Sequence, residues 1–170
     1  GWAAQTGIQA ALAAQVGLAG PATMLEGEQG IFAAMAAGGL PELVCHDADA
    51  DWYISSCSFK PWPSCRHTHP VIDAALKIKA KPEQITDIRI DTYLDAIRFC
   101  DKPHPDSELQ AKFSLQHVVA VTLMKGPPTL TDFSAASRQD PHYSALRQLT
   151  SVYEDIALST AFPESYQARL

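Results

Sequence analysis

The stretch SFKPWPSCRHTHP, from Ser58 to Pro70, brings together five side chains that could take part in chemistry. It holds one Lys, one Arg, two His and one Cys, and no Asp or Glu occurs between Trp52 and Ile72. The whole sequence of 170 residues is acidic, with a formal net charge of -6. That balance argues against a nucleic-acid module, which needs a broad basic face. These residue types are therefore compatible with four interpretations: a metal site, a nucleophile, an anion site or a basic surface loop.

A metal site is the least favoured of these interpretations. Cys65, His67 and His69 are potential ligands, but structural zinc takes four ligands, usually in two closely spaced pairs. The sequence contains no second Cys/His pair at such a spacing, and the charge of Arg66 would repel a cation. We therefore predict no metal site. The four cysteines form no CxxC pair, and we predict that they are reduced thiols.

Two interpretations of the basic stretch remain open on the residues alone. Arg66, His67 and a helix N-terminus could lower the pKa of Cys65 and make it a nucleophile, although a small loop residue is the simpler role. Lys60, Arg66 and His69 could instead surround the N-terminus of a helix that starts at Pro70 and hold a carboxylate or phosphate there. The alternative to such an anion clamp is a basic loop that pairs with surface acids.

The residue pattern predicts an α+β protein in two parts. We expect a helical segment over residues 1–57, followed by an α+β lobe over residues 58–170 with a mostly antiparallel sheet. Small residues on every face of the first helices indicate packing inside a larger helical bundle. Because the chain opens on an alanine-rich helix without Met, we expect it to be a fragment of a longer protein. The absence of a signal peptide or of a long apolar run predicts a soluble, cytoplasmic protein without a membrane partner.

The spacing of apolar residues, together with Gly, Pro and helix-capping residues, predicts the individual helices and strands. Lys112 and His117 lie five residues apart on one predicted helix and are expected to be exposed or rim residues, and His104 a loop surface residue. The predicted elements are helices at 2–16 and 30–37, a helix from Pro70, a strand over 85–94 with Ile88, Ile90, Thr92 and Leu94 on one face, a helix at 108–124 capped by Ser107 and closed by Gly126, short helices within 131–150 interrupted at Asp140-Pro141, a strand at 151–158, and a third strand near the end.

The segments FKPWPSCRHTHPVIDAAL and AKFSLQHVVAVTLM resemble the MmgE/PrpD family. This family includes 2-methylcitrate dehydratase, cis-aconitate decarboxylase and iminodisuccinate epimerase. The resemblance implies a homodimeric enzyme with a large helical domain, a smaller α+β lid and an active site in the cleft between them. It also implies small di- or tricarboxylic acids as anionic substrates, and no metal or organic cofactor.

The resemblance also implies site residues. Lys60 matches the lysine of the family's FK loop, and Thr68 and His69 match the Thr-His pair that follows it. Cys65 stands where cis-aconitate decarboxylases carry a catalytic His. Phe99 and Gln5 likewise stand at positions where those enzymes carry Tyr and Lys. Decarboxylation is therefore the least favoured of the three chemistries.

Together these observations predict a hydro-lyase of the 2-methylcitrate dehydratase kind. Lys60, His69 and Cys65 are the predicted catalytic residues, and Lys60, Arg66 and His67 the predicted substrate-binding residues. Two alternatives remain: an epimerase of an amino-dicarboxylate that uses the same anion clamp, and an inert fragment with a binding or structural role.

Overall fold

A computed structural model describes residues 1–35 and 53–170. The chain divides into two compact units, Gly1–Cys57 and Ser58–Leu170. The first unit contains α1 (Trp2–Gln15), α2 (Ile31–Met35) and a 3-10 turn (Tyr53–Ser56). Both predicted helices are therefore present, and residues 36 and 37 of the second prediction lie outside the described residues. No residue of α1 is buried. None of the described helices is both long enough and apolar enough to cross a membrane.

The second unit combines short helices with a small sheet. Its elements are a 3-10 turn (Arg66–Thr68), α3 (His69–Ala75), a 3-10 turn (Pro82–Gln84), β1 (Ile88–Thr92), α4 (Leu94–Cys100), α5 (Glu108–Lys112), α6 (Leu115–Lys125), a 3-10 turn (Leu130–Phe133), α7 (Ala135–Gln139), α8 (Pro141–Gln148), β2 (Thr150–Glu154), α9 (Ile156–Ala161) and β3 (Ala168–Arg169).

The three strands form a mixed sheet in the order β2-β1-β3. β1 pairs in parallel with β2, with Ile88 opposite Thr150, and antiparallel with β3, with Asp91 opposite Arg169. The predicted α+β class is thus confirmed, but the prediction of a mostly antiparallel sheet is wrong. Residues 93–149 form a long helical connection between β1 and β2, and such a crossover can bring the chain back to start a parallel strand.

The prediction that buried and more exposed residues alternate along β1 is confirmed. Ile88, Ile90 and Thr92 are buried, whereas Arg89 is exposed. The predicted continuation to Leu94 is wrong because α4 begins at that residue, after an extended N-cap at position 93. The second predicted strand also ends early. β2 stops at Glu154, and the Asp155 carboxylate then accepts hydrogen bonds from two backbone N–H groups at the start of α9.

Helix α6 is the centre of the second unit, since all eight residues from Leu115 to Thr122 are buried. It packs against α3 and α8. The single helix predicted over 108–124 is interrupted after Lys112. Ser114 caps α6 there by accepting a hydrogen bond from the His117 backbone N–H. The predicted cap at Ser107, the end at Gly126 and the break at Asp140-Pro141 are all present.

Candidate active site

Two grooves adjoin the basic stretch. The first, here called the lysine groove, has a volume of about 610 Å³ and is lined by Lys60, Pro61, Trp62, Pro63, Ser64, Cys65, Lys112, Phe113, Thr129 and Leu130. The second, here called the arginine groove, has a volume of about 200 Å³ and is lined by Phe59, Pro61, Trp62, Arg66, His69, Pro70, Asp73 and Tyr166. Pro61 and Trp62 are common to both and form the wall between them.

This wall separates residues that the sequence placed in one anion clamp. Lys60 and Cys65 line the lysine groove, whereas Arg66 and His69 line the arginine groove. His67 lines neither. The segment from Ser58 to Cys65 belongs to no helix or strand and bends at residues 61–64, and its proximity in sequence does not bring all five side chains to one point.

Side-chain hydrogen bonds hold the basic stretch in place. The Thr68 hydroxyl donates to the Cys65 carbonyl oxygen at 2.8 Å, and its oxygen lies 2.8 Å from the Ser64 hydroxyl oxygen. The Cys65 backbone N–H donates to the Lys112 carbonyl oxygen at 2.8 Å. Pro70 fits the first turn of α3, where its missing N–H leaves no bond unmade. The stretch is therefore tied both to α3 and to the end of α5.

Lys60 and Arg66 carry the positive charge of this region. Within residues 1–35 and 53–170, neither side chain forms an ion pair with a carboxylate. The Arg66 guanidinium instead lies over the Tyr166 ring, 5.2 Å from its centroid. Lys60 is exposed at the edge of the lysine groove. Both cations are thus available to an anionic ligand, but in different grooves.

Cys65 is nearly buried and begins the 3-10 turn that leads into α3. A hydrogen bond from the Cys100 thiol lowers the pKa of Cys65, and so do the His67 backbone N–H and the charge of Lys60, while burial acts in the opposite direction. The net effect is a lowered pKa, which favours the thiolate. The structure therefore gives Cys65 the environment of a reactive thiol at the wall of the lysine groove.

His67 packs among aromatic rings behind the grooves. Its ring stacks on Phe99, with centroids 5.4 Å apart, and its Nδ1 lies 2.7 Å from the Tyr93 hydroxyl oxygen. Burial lowers the pKa of His67 and outweighs the attraction of Asp95. The ring is thus neutral at neutral pH and anchors the stretch through packing.

His69 is 5% exposed and lies edge-on to the Trp62 ring. Burial lowers its pKa, against hydrogen bonding to the Ser64 backbone. Its Nε2 atom is buried and has no hydrogen-bond partner among the described residues. Because both loop histidines favour the neutral form, Lys60 and Arg66 carry the positive charge of the stretch from Ser58 to Pro70.

Two residues of the predicted 108–124 helix have roles that spacing alone could not show. Lys112 is at the edge of the lysine groove, as a rim residue should be, and forms a 2.6 Å ion pair with Glu108. His117 was expected to be exposed or at a rim, and this prediction is wrong because its side chain is fully buried. His104 is exposed, as predicted.

Both ring nitrogens of His117 have partners. Nδ1 lies 3.2 Å from Arg147 Nη1, and Nε2 lies 2.7 Å from the Asp132 carbonyl oxygen. Since arginine has only donors, Nδ1 must accept and Nε2 must carry the hydrogen that is donated to Asp132. His117 is therefore a neutral structural histidine inside the core of the second unit.

Among the described residues, no group of three or more His, Cys, Asp or Glu side chains is arranged to hold a metal ion. The polar side chains that line the lysine groove are the ammonium groups of Lys60 and Lys112, the thiol of Cys65 and the hydroxyls of Ser64 and Thr129. Ammonium groups attract carboxylates, and a thiolate can accept a proton or act as a nucleophile.

Similarity to known proteins identifies the family. The MmgE/PrpD C-terminal domain model matches residues 62–170. Cis-aconitate decarboxylase from Homo sapiens is 31% identical over 163 residues, which cover 91% of this chain and 33% of that protein. Cis-aconitate decarboxylase from Mus musculus is 28% identical over 159 residues, which cover 86% of this chain and 32% of that protein. The chain spans about a third of the length of these curated relatives, and it belongs to the MmgE/PrpD family.

Proposed function

We propose that this chain is part of a cofactor-independent lyase that acts on small di- and tricarboxylic acids. We further propose that the reaction is the loss of water from 2-methylcitrate or a closely related acid. The observation that carries the proposal is the lysine groove in a chain of this family. There a lysine with no ion pair among the described residues adjoins a thiol of lowered pKa, and none of the described residues that line the groove carries a carboxylate. The relatives support the lyase class, because cis-aconitate decarboxylase is itself a lyase of a tricarboxylic acid.

Lys60 binds the substrate carboxylate next to the reacting carbon. Removal of a proton from that carbon moves negative charge onto an already anionic carboxylate. An ammonium group placed there in advance stabilises the charge as it develops. Lys112, which lines the same groove, can bind a second carboxylate once its ion pair with Glu108 is broken.

Cys65 is the proposed proton acceptor. Its sulfur favours the thiolate form, and it adjoins the groove that holds the substrate. In the reaction a C–H bond and a neighbouring C–O bond break, a carbon–carbon double bond forms, and the hydroxyl group leaves as water. The acid that protonates the leaving hydroxyl is assigned to the helical domain implied by the family resemblance.

The arginine groove has a supporting role in this proposal. Asp73 lines it together with Arg66, so the guanidinium has a nearby carboxylate that can offset its charge. His69 also lines this groove, but its unpartnered Nε2 atom is buried, and His67 positions the loop through its aromatic contacts. We therefore expect substitution of Arg66 to affect kcat/KM less than substitution of Lys60.

Dehydration is proposed over decarboxylation because of Cys65. Where decarboxylases of the family carry a catalytic His, this chain has a thiol, which favours proton removal by a thiolate over the chemistry of an imidazole. From the family resemblance we also propose that the enzyme is a cytoplasmic homodimer. Sedimentation of the purified enzyme would test the dimer.

The test is to assay the enzyme that carries this chain against 2-methylcitrate and cis-aconitate. We expect ultraviolet absorbance from a new double bond with 2-methylcitrate, and no carbon dioxide from cis-aconitate. Carbon dioxide release would replace the proposal with decarboxylation. Deuterium exchange at an α-carbon of an amino-dicarboxylate without a new double bond would replace it with epimerisation. An absence of turnover with all three substrates would favour the inert alternative.

A further inference from the structure

Cys65 and Cys100 form a pair of neighbouring thiols inside the second unit. Both belong to the largest cluster of buried apolar side chains among the described residues. Cys65 is the N-cap of the 3-10 turn Arg66–Thr68, and Cys100 ends α4, which packs against that turn. Two segments distant in sequence thus bring the two cysteines together in one cluster, where each thiol influences the pKa of the other.

The two thiols differ in accessibility. Cys65 is 9% exposed and is one of the residues that line the lysine groove. Cys100 has no exposed surface. A small solute in the groove therefore meets Cys65 and not Cys100.

The two thiols also differ in acidity. The hydrogen bond from Cys100 and the charge of Lys60 favour the Cys65 thiolate, whereas the same pairing and burial raise the pKa of Cys100. Oxidation-sensitive cysteines in proteins combine thiolate character and access to solutes with a second thiol close by. Cys65 and Cys100 meet these conditions as an attacking thiol and a resolving thiol.

We propose that Cys65 and Cys100 form a reversible disulfide when the protein meets hydrogen peroxide. The Cys65 thiolate attacks one peroxide oxygen, the O–O bond breaks, and hydroxide leaves and takes up a proton, which converts Cys65 to a sulfenic acid. The Cys100 sulfur then attacks Cys65 and displaces water as the S–S bond forms. In total two thiols are oxidised and one peroxide is reduced to two waters. This inference goes beyond the proposed lyase activity and does not depend on it.

Mass spectrometry of the peroxide-treated chain tests the proposal. After treatment, remaining thiols are alkylated and the protein is digested with trypsin and chymotrypsin together. Cleavage after Phe59 and after Arg66 separates the peptide of Cys65 from that of Cys57, and cleavage after Arg98 releases the peptide of Cys100. We expect the Cys65 and Cys100 peptides to be joined, with a mass two hydrogens below their sum, and to separate after dithiothreitol treatment.

Two variants complete the test. In Cys100→Ser the joined peptides should disappear, and the sulfenic acid of Cys65 should be trapped by dimedone. Cys57→Ser is the matched control and should keep the joined peptides. The proposal is overturned if Cys65 remains fully alkylated after peroxide treatment of the parent chain, or if it joins a cysteine other than Cys100. Circular dichroism checks that Cys100→Ser keeps its fold. If this variant does not fold, the peptides found in the parent chain after peroxide treatment are sufficient to support or overturn the proposal.

Discussion

Replacing His117 with Phe tests whether the hydrogen bonds of its ring with Asp132 and Arg147 stabilise the core of the second unit. The substitution keeps an aromatic ring of similar size but removes both ring nitrogens. It leaves the Asp132 carbonyl without its 2.7 Å partner, and Arg147 without its 3.2 Å contact. The Asp132 carbonyl keeps a hydrogen bond from the Ser137 hydroxyl, so the loss of one of its two bonds costs about 0.5 to 1.5 kcal/mol, and a lost bond to a charged group costs about 1.5 to 3 kcal/mol. We therefore expect the free energy of unfolding to fall by about 2 to 4 kcal/mol, since Arg147 keeps its bond to the Arg138 carbonyl.

Urea unfolding of the second unit measures this loss. In a chain that also carries Trp2→Phe and Trp52→Phe, Trp62 is the remaining tryptophan and reports on the unit that contains it. The exposed His104→Phe is the matched control, and its effect should stay within about 0.5 kcal/mol. A loss below about 1 kcal/mol for His117→Phe would refute the assigned network.

The same variant makes a prediction about pH. Burial lowers the pKa of His117, and the charge of Arg147 acts in the same direction against the Asp132 carbonyl. Below pH about 6.5 the unfolded chain therefore binds a proton that the folded chain does not, and stability falls as the pH falls. The contribution of His117 approaches about 1.4 kcal/mol per pH unit. Unfolding free energies measured between pH 7.5 and 5.5 should depend less on pH in His117→Phe, and equal slopes would refute the neutral assignment.

Three further substitutions test separate features of the second unit. Gly126→Ala should cost about 1 to 3 kcal/mol, measured by urea unfolding, because its φ of +90° and ψ of -148° suit only glycine and no neighbouring atom would block the new Cβ. Cys100→Ala should move the pH midpoint of iodoacetamide alkylation at Cys65 upward, since the variant removes the hydrogen bond that most favours the thiolate, and an unchanged midpoint would contradict that cause. Asp132→Ala should lower the melting temperature, with a loss of about 1 to 3 kcal/mol, because it removes acceptors for the Thr129 backbone N–H and hydroxyl. A melting temperature equal to that of the parent chain would show that this cap contributes nothing.

Local patterns were sufficient for the elements that their own residues determine. The alternation of Ile88, Ile90 and Thr92 identified the buried face of β1, and Ser107 and Gly126 marked helix ends. Alternation says which face of a strand is buried, but it carries no information about strand direction. The direction of β2 depends on where the helical connection returns, and that is a property of the packing of the whole unit.

The burial of His117 could not be predicted from spacing. In one continuous helix, residues 112 and 117 would point toward different sides. The helix instead ends at Lys112, and a new helix begins after the N-cap Ser114. Every side of the first two turns of that helix is then covered by other elements, so a polar residue there is buried with its partners. Arg147, the residue that makes this burial possible, lies in a different helix, and only the tertiary fold brings it close.

The basic stretch shows a similar limit at the candidate site. The residue types indicated an anion site, and the family resemblance selected Lys60. The sequence could not show that Trp62 lies between the groove that Lys60 lines and the groove that Arg66 lines. A proline-rich segment outside helices and strands has no repeating pattern from which side-chain directions could be predicted. Nor could it show that Cys100 lies against Cys65, since a contact between distant segments leaves no local pattern.

The central claim is that Lys60 holds the substrate carboxylate, and the kcat/KM of Lys60→Ala tests it most directly. In the enzyme that carries this chain, with 2-methylcitrate as substrate, we predict a fall of about 30-fold to 1000-fold, as expected when one side of a desolvated charge pair is removed. Lys81→Ala, an exposed lysine outside both grooves, is the matched control and should leave kcat/KM unchanged. Equal values for Lys60→Ala and Lys81→Ala, or a larger fall for Arg66→Ala than for Lys60→Ala, would contradict the account.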